Sequence, residues 1–504
     1  MDSKSILRSS VGVTIVMVLG FFISFLKETT IAGFFGISGE VDAYNIAIQI
    51  PVLLFSFISV AVQSVVIPIY SDLLYNKGLK NANAYINNLI TILFVICLFI
   101  VIIGEFASDI VVKIFAPGFS SDIHKMSVGL LRITFPTIIF SIISQVLVAL
   151  LNVHKKFVLP SFAIYILNIT LIGSILYLHS ECGIISACIG QLAGEALRLV
   201  FLIFLAWKIY KYRFAFDIKN DLTNQTIKMS LPVFWSISIA EVNAVVNRIV
   251  GSFLVVGSIS SLTYAGKINT TLMQLFVSAI ATIVYPLYAE SAAKNDLDQL
   301  NKRVNITLSA YALFVVPLMF FIFVFKREII TIAFARGAFD MNSVDATQEL
   351  LGFYAIGLLF MSLRSTITNI FYSLKDTKTP AINATIGAVV NVALNIALPL
   401  FMGTPGLALA TSITAMYITI NLIRLLLVRH RDFCLAIFYK NLRGTILSSI
   451  IMFLITYLFA YHFKEINTLL LFVLGSLICI VVYLLSLIAF KVPILKMILV
   501  NFKK

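Results

Sequence analysis

Charged side chains inside long apolar stretches are the residues of this sequence with the clearest chemical implication. Lys27 with its neighbour Glu28, Arg248, Lys267 and Arg364 all stand in such stretches. A charge at the centre of a membrane-spanning helix costs about 2.5–3.5 kcal/mol on insertion scales, so each should face a cavity or a partner. Converging positive side chains suit an anionic ligand, and we therefore expect these residues to bind a phosphate or diphosphate group.

Two charge pairs have a structural explanation as well. Glu195 and Arg198 stand three residues apart on one helical face and are expected to neutralise each other. Glu241 and Arg248 stand seven apart, also on one face. For that second pair the sequence leaves a structural pairing and a ligand-binding role equally open.

The two lysines raise a similar question. Lys27 has an acidic neighbour, Glu28, but adjacent residues in a helix do not face each other, so we expect Lys27 to keep its charge available. Lys267 lies near the outer end of its apolar stretch and also fits a snorkelling position, with the amine at the membrane surface. The sequence alone does not decide between snorkelling and ligand binding for Lys267.

A second polar set consists of uncharged residues. Asn391 and Asn395 stand four apart on one helix, Asn247 lies on an earlier helix, and Thr411 on a later one. Amides in a membrane interior often connect helices by hydrogen bonds, which is the expected role here. The alternative is a site in which these neutral oxygens bind a small cation.

The sequence contains no catalytic motif. Gly266-Lys267 lacks the glycine spacing and the following Ser or Thr of a Walker A loop. His, Cys, Asp and Glu form no group with metal-ligand spacing, and the five cysteines are scattered as packing residues. We expect a transporter and not an enzyme, without metal or cofactor, that uses a monovalent-cation gradient or the membrane potential.

The elements that position these residues are membrane helices. Of the 504 residues, 60% are hydrophobic and 12% charged, about half the charge of a soluble protein. Apolar runs of about 20 residues recur along the chain, which favours helices over the short strands of a barrel. The sequence predicts an all-α protein with about fourteen spans, at 9–35, 41–70, 84–104, 128–151, 160–178, 183–209, 228–255, 262–289, 305–325, 346–373, 381–401, 405–428, 443–461 and 467–490.

The distribution of Lys and Arg predicts the orientation. Alternate connecting segments, together with both termini, are rich in Lys and Arg, whereas the others are shorter and poorer in them, with 326–336 as the main exception. The positive-inside rule places the rich set in the cytoplasm. The net charge of +14 therefore reflects membrane topology and not a nucleic-acid partner.

An internal repeat relates two parts of the chain. Residues 31–35 and 67–72 reappear at 249–253 and 285–290, each displaced by 218 positions, and Pro160 reappears as Pro380. Six helices per unit give both units the same orientation. We expect two parallel lobes, 1–215 and 216–430, with the substrate path at their interface, followed by two further helices and a tail at 431–504.

These features resemble the MurJ/MviN lipid II flippase family of the multidrug/oligosaccharidyl-lipid/polysaccharide exporter superfamily. The resembling segments span about the first 430 residues and include 27–36, 264–267, 335–339, 376–380 and 406–412. The resemblance implies two six-helix lobes plus two helices. It implies movement of an undecaprenyl-diphosphate-linked cell-wall precursor, lipid II, from the cytoplasmic to the outer leaflet by alternating access.

Several positions depart from the family pattern. Lys27 and Lys267 stand where the family has arginines, so the charge is kept but the bidentate fork is lost. Phe21 replaces another family arginine, and Arg248 would partly restore the missing charge. Asn247 and Asn395 stand where some members have acidic residues, which bears on a sodium site.

Three other functions remain open at this stage. The chain could export another lipid-linked oligosaccharide, such as a capsule or exopolysaccharide repeat unit, or exchange drugs for cations, although such antiporters need acidic cavities. It could also be a non-transporting partner of cell-wall synthases. We expect a monomer that contacts the lipid bilayer, a polyprenyl-diphosphate-linked saccharide and cell-wall synthase partners.

Overall fold

A computed structural model describes residues 3–274, 279–430 and 432–495 of the chain. All regular elements in these residues are helices, and they divide into two compact units, Met1–Ser260 and Ser261–Lys504. The first nine helices lie in unit 1: Ser3–Phe35 (α1), Gly39–Ala61 (α2), Ile67–Phe115 (α3), Ser121–Thr134 (α4), Thr137–Val153 (α5), Val158–Ser161 (α6), Ala163–Cys182 (α7), Ile185–Ala206 (α8) and Asp221–Ser252 (α9).

Of the remaining nine helices, α10 begins in the last residues of unit 1, and the others lie in unit 2. They are Ser258–Met273 (α10), Ala279–Ala293 (α11), Leu297–Phe334 (α12), Met341–Ser373 (α13), Lys378–Ala397 (α14), Pro399–Met402 (α15), Thr404–Arg429 (α16), Ala436–His462 (α17) and Thr468–Ala489 (α18).

Polar residues define where several of these helices begin. Each of five N-cap residues accepts a hydrogen bond from a backbone N–H of the first turn, which satisfies one of the donors that a helix start leaves open. These caps are Ser38, Asn220, Asp296, Asp340 and Asn467.

Eleven helical segments among the described residues are long and apolar enough to cross a membrane. The expected spans 41–70 and 84–104 fall within one such segment, Gly39–Phe115, where Gly78 (φ 82°) interrupts the helical backbone. The expected span 262–289 crosses residues 275–278, which lie outside the described residues. The fold class is confirmed as all-α with many apolar helices, whereas the count of fourteen is not.

Side chains on the outside of these helices agree with a lipid environment. Phe99 and Phe106 on α3 are 64% and 86% exposed, and Leu477, Ile480 and Leu485 on α18 are more than half exposed. Exposed apolar faces of this extent are not expected in water but are normal against lipid tails.

Close packing of helices depends on small residues. In unit 1, a Cβ added at Gly190 would lie 2.7 Å from Leu171 Cα, so α7 and α8 approach backbone to backbone. In unit 2, Gly357 gives the same access to Ser412, whose hydroxyl also donates to the Phe353 carbonyl at 2.7 Å. Small residues at such crossings allow van der Waals contact, which drives helix association in lipid.

The internal repeat appears in the backbone of the turns. Lys155 (φ 60°) and Lys375 (φ 63°), 220 residues apart, are both left-handed non-glycine residues. The residue after each donates to the carbonyl five positions earlier, Lys156 to Leu151 and Asp376 to Phe371, both at 2.9 Å. A side chain in this conformation is uncommon, so its recurrence at the repeat spacing is structural evidence for the duplication.

The turn before α14 has a polar network outside the membrane spans. Asp376 Oδ1 accepts from the Thr379 N–H at 2.9 Å, and Arg429 Nη1 at the end of α16 lies 3.2 Å from Asp376 Oδ2. Desolvation raises the pKa of Asp376, but the hydrogen bonds from Thr379 and the charge of Arg429 outweigh it and hold that pKa below its usual value. This network joins the start of α14 to the end of α16.

Candidate functional site

Lys27 lies on α1 as part of an ion pair. Its Nζ is 3.0 Å from Glu28 Oε1, and the two side chains are 20% and 13% exposed. The expectation that Glu28 leaves Lys27 unmasked is wrong. Neighbouring residues start about 100° apart around a helix, but both side chains are long enough to bend together, and pairing lowers the cost of a charge in a poorly solvated place.

Asp42, in the first turn of α2, holds the start of α10. Its two carboxylate oxygens accept from the backbone N–H groups of Gly257 and Ser260, each at 2.7 Å. The Asp42 side chain is buried, and the positive charge of Arg248 on α9 also acts on it. Below, this set of Asp42, Gly257 and Ser260 is called the Asp42 cap. It combines two charge-assisted hydrogen bonds with a favourable position at a helix N-terminus.

A glycine is required next to the Asp42 cap. Gly257 has φ 91°, and a Cβ built on it would lie 2.2 Å from Ile37 Cγ2. Both the backbone conformation and the lack of space exclude a larger residue. Sequence reasoning missed this role of Asp42, because an acidic residue at the start of an apolar run indicates a helix start but not which helix its carboxylate contacts.

Glu195 and Arg198 on α8 form the expected intrahelical pair. Arg198 Nη1 lies 3.2 Å from Glu195 Oε2, the two side chains are 13% and 7% exposed respectively, and Ser141 on α5 also bonds the carboxylate. The pair is buried within unit 1. The structural reading of these two charges is therefore confirmed.

The second unit contains the other two candidate cations. Lys267 lies in the middle of α10 with a partly buried side chain, and Thr271 Oγ1 donates to its carbonyl at 2.8 Å. Arg364 lies on α13 with an exposed side chain. Lys27 and Arg248 belong to unit 1, whereas Lys267 and Arg364 belong to unit 2, and their convergence stays a prediction.

The asparagine set connects helices within unit 2. Asn391 Nδ2 on α14 donates to Thr414 Oγ1 on α16 at 3.1 Å, and Asn395 Nδ2 donates to Asn391 Oδ1 at 2.8 Å. The helix-bridging role is confirmed for Asn391, whereas Asn395 bonds to a residue of its own helix. Asn395 is fully buried, yet its Oδ1 has no hydrogen-bond partner among the described residues. The side-chain oxygen of Asn247, in unit 1, likewise has no hydrogen-bond partner among the described residues. Thr411 Oγ1 donates to the Leu407 carbonyl.

An apolar groove lies in unit 2 between α12, α17 and α18, the last two of which are outside the repeat. It has a volume of about 570 Å³. Apolar side chains form almost all of its wall, including Leu313, Pro317, Phe321, Ile480 and Leu484. Sequence reasoning missed it, because a run of Leu and Ile does not reveal whether it faces lipid or lines a groove.

Comparisons with known proteins agree with one another. The family model described as lipid II flippase MurJ matches residues 31–483. The lipid II flippase MurJ of Thermosipho africanus (strain TCF52B) is 31% identical over 410 residues, which cover 81% of this chain and 83% of the relative. A probable lipid II flippase MurJ of Buchnera aphidicola subsp. Baizongia pistaciae is 28% identical over 382 residues, 75% of this chain and 74% of that protein.

Solved structures give the same result for the fold. A structure described as lipid II flippase MurJ in an inward closed conformation has a TM-score of 0.83 and 30% identity, and the match covers 95% of this chain and 98% of that one. An inward-facing multidrug resistance MATE family transporter of the MOP superfamily has a TM-score of 0.66 at 12% identity, over 84% and 98% of the two chains. The second likeness concerns the fold alone.

Proposed function

Since the chain belongs to the lipid II flippase MurJ family, we propose that it moves lipid II, an undecaprenyl-diphosphate-linked cell-wall precursor, across the bacterial cytoplasmic membrane. The observation that carries this proposal is the family match over residues 31–483, together with the similarity of the whole fold to a MurJ structure. The chain is a multi-pass bacterial membrane protein and a transporter, not an enzyme. No observation favours a capsule or exopolysaccharide unit over lipid II.

The diphosphate is bound, in this proposal, by the cations inside the spans. Lys27, Arg248, Lys267 and Arg364 supply positive charge within predicted membrane spans, which makes an anionic ligand favourable. Glu28 Oε1 lies 3.0 Å from the Lys27 amine. The diphosphate competes with this carboxylate, so Glu28 keeps the lysine oriented and limits the cost of its burial between transport events.

The polyprenyl tail lies in the apolar groove of unit 2. A groove of about 570 Å³ with an almost wholly apolar wall accepts isoprenoid units but offers little to a sugar or a phosphate. Its position on α12, α17 and α18 gives the two helices beyond the repeat a role that the repeated helices do not have. The tail thereby stays in an apolar environment while the polar headgroup crosses.

Alternating access uses the Asp42 cap as a contact of one state. Both termini are cytoplasmic in this proposal, so the turns before α2 and α10 lie on the outer side of the membrane. The two hydrogen bonds of Asp42 to Gly257 and Ser260 hold these helix starts together. In this proposal they break when the protein opens outwards. The unpaired oxygens of Asn247 and Asn395 are candidate ligands of a coupling cation.

The function is tested by complementation of a bacterial strain whose own lipid II flippase is depleted. The chain is expected to restore growth and normal cell shape. The matched control is a Lys27→Ala variant expressed in the membrane at the same level. We expect that variant not to restore growth. If the parental chain is well expressed but does not restore growth, the substrate would be another lipid-linked saccharide and not lipid II. Copurification with cell-wall synthases, and the size of the purified protein, test the proposed partners and the monomer.

A further inference from the structure

The segment that joins α8 to α9 is held against α3 by a series of side-chain hydrogen bonds. Tyr210 Oη and the Arg213 N–H both donate to Asn87 Oδ1, at 2.7 and 3.0 Å. The Asp217 N–H donates to Asn88 Oδ1 at 2.7 Å, and Asn88 Nδ2 donates to the Asp217 carbonyl at 2.8 Å. We call residues 207–220 the linker strap.

These bonds give a non-helical segment a fixed position. Residues 210–217 have no regular structure, so their backbone groups need other partners. Asn87 and Asn88 are buried and bond to these backbone groups. The side-chain oxygen of Asn87 accepts two hydrogen bonds, whereas Asn88 accepts through its oxygen and donates through its nitrogen. The backbone of the linker strap is thus held in place against α3 and is not a loose connection.

The outward side of the linker strap combines positive and aromatic side chains. Lys208, Lys211, Arg213 and Lys219 are exposed, against one acidic residue, Asp217, so the segment carries a charge of 4 − 1 = +3. Between them stand exposed aromatic side chains: Trp207 at 60%, Tyr212 at 50%, Phe214 at 77% and Phe216 at 48%.

The position of the linker strap along α3 places it at a membrane surface. Asn87 lies three residues inside the span predicted to begin at residue 84, which is about 5 Å of helix. Aromatic rings and the ends of Lys and Arg side chains are the groups that favour this depth, with rings among the headgroups and charges at the phosphates. Lys211 Nζ lies 5.9 Å from the Trp207 ring centre, so the two kinds of group are interleaved there.

We propose that the linker strap binds the headgroups of anionic phospholipids in the cytoplasmic leaflet and anchors the start of the third span there. The orientation rests on the proposed function. Positive side chains near an anionic leaflet are attracted to it, and the aromatic rings favour a lipid surface over nucleic acid or a polar protein. Lipid II, which is also anionic, is a competing ligand that the experiment distinguishes.

The sequence supplies a fluorescent probe at the site. The chain contains only two tryptophans, Trp207 in the linker strap and Trp235 on α9. In a full-length Trp235→Phe protein, reconstituted in phosphatidylcholine vesicles, all tryptophan emission therefore comes from Trp207. Two series of vesicles contain increasing fractions of either brominated phosphatidylglycerol or brominated phosphatidylcholine. Bromine on the acyl chains quenches the emission in proportion to how often that lipid lies next to Trp207.

We expect brominated phosphatidylglycerol to quench Trp207 with an apparent affinity about fivefold higher than that of brominated phosphatidylcholine, because basic side chains near a membrane surface attract anionic lipid. The variant Lys211→Gln/Arg213→Gln should lower this preference towards equality. Lys77→Gln/Lys80→Gln removes the same charge from an exposed segment outside the linker strap and should leave the preference unchanged. High salt should reduce the preference, since it screens exposed charges.

Three results would overturn the proposal. One is equal quenching by the two lipids in the parental protein, and another is no quenching by either, which would place Trp207 outside the bilayer. The third is displacement of phosphatidylglycerol by small amounts of unbrominated lipid II, which would make the linker strap part of the substrate path. Failure of the proposed function is separate, because it appears as lost complementation with the phosphatidylglycerol preference intact.

Discussion

Replacing Asp42 by asparagine should weaken the Asp42 cap without changing its shape. The carboxylate now accepts from Gly257 and Ser260 with both oxygens, each at 2.7 Å. An asparagine retains one oxygen and presents an NH₂ group to the second N–H, so one hydrogen bond is lost and two donors oppose each other. The negative charge at the start of α10 is lost as well.

The expected cost follows from these two losses. A hydrogen bond to a charged group contributes about 1.5–3 kcal/mol, and a charge at a helix N-terminus adds about 0.3–1 kcal/mol, more when partly buried. We therefore expect Asp42→Asn to destabilise the capped state by about 2–4 kcal/mol. This free energy corresponds to a factor of about 30 to 700 in the population of that state relative to one in which the bonds are absent.

Amide hydrogen exchange measures this contact at the donor atoms. The peptide that contains the Gly257 and Ser260 amides should exchange much faster in Asp42→Asn than in the parental protein, because these N–H groups lose protection when the cap opens. Glu40→Gln is the matched control, since Glu40 is exposed in the same helical turn. That substitution should leave exchange of the peptide unchanged. Growth of the flippase-depleted strain should fall with Asp42→Asn but not with Glu40→Gln.

The reasoning would be refuted by unchanged exchange in Asp42→Asn, which would mean that the two hydrogen bonds do not hold the start of α10. Faster exchange together with full growth of the depleted strain would confirm the hydrogen bonds of Asp42. It would also show that transport does not depend on them. A lower melting temperature with unchanged exchange at this peptide would indicate damage elsewhere in the fold.

Three further predictions concern single sites. Lys27→Ala should lower the affinity for lipid II by at least tenfold while Lys27→Arg retains binding, and an affinity unaffected by Lys27→Ala would exclude a diphosphate contact there. Glu195→Ala should lower the free energy of unfolding by about 3–5 kcal/mol, because Arg198 is left buried and unpaired, and an apolar replacement of both residues should recover most of the loss in thermal melts. Asp376 should stabilise the fold above its unfolded pKa of about 3.9, and this stabilisation should disappear as the pH falls through the lower folded value. The melting temperature of the parental protein minus that of Asp376→Asn, followed against pH, measures this effect, and a difference that persists at the lowest pH would contradict it.

The fold class and the duplication could be predicted because they depend on patterns that repeat along the chain. Apolar length determines the spans, and the repeat spacing predicted the correspondence of Pro160 with Pro380. The structure adds that Lys155 and Lys375, in the turns before these prolines, share an unusual backbone conformation. The number of spans was harder to predict, since the helical segments on either side of Gly78 follow each other with only a local interruption of the backbone.

The candidate site could be predicted only as far as charge and helical spacing allow. Glu195 and Arg198 pair as their three-residue separation predicts. Lys27 and Glu28 do not behave as helix geometry alone predicts, because side-chain length and poor solvation favour their pairing. The contact of Asp42 with Ser260 joins residues 218 positions apart, and no local pattern encodes such a contact.

The asparagines of α3 show the same limit. Asn87 and Asn88 look like polar interruptions at the start of an apolar run, which is a common feature near membrane surfaces. Their function depends on a segment more than 120 residues later in the chain, from which both accept hydrogen bonds and to which Asn88 also donates. A hydrogen bond between distant segments requires the fold before its partners can be identified.

Transport of lipid II by the purified protein tests the central claim most directly. Vesicles containing the full-length chain and lipid II with a fluorescent headgroup are treated with a reductant that does not cross the membrane, and the protected fraction of fluorescence is measured over time. We predict that the protected half becomes accessible with the parental protein, much more slowly with Lys27→Ala, and not in protein-free vesicles. Protection that persists with the parental protein, in vesicles where it is folded and correctly inserted, would contradict the account.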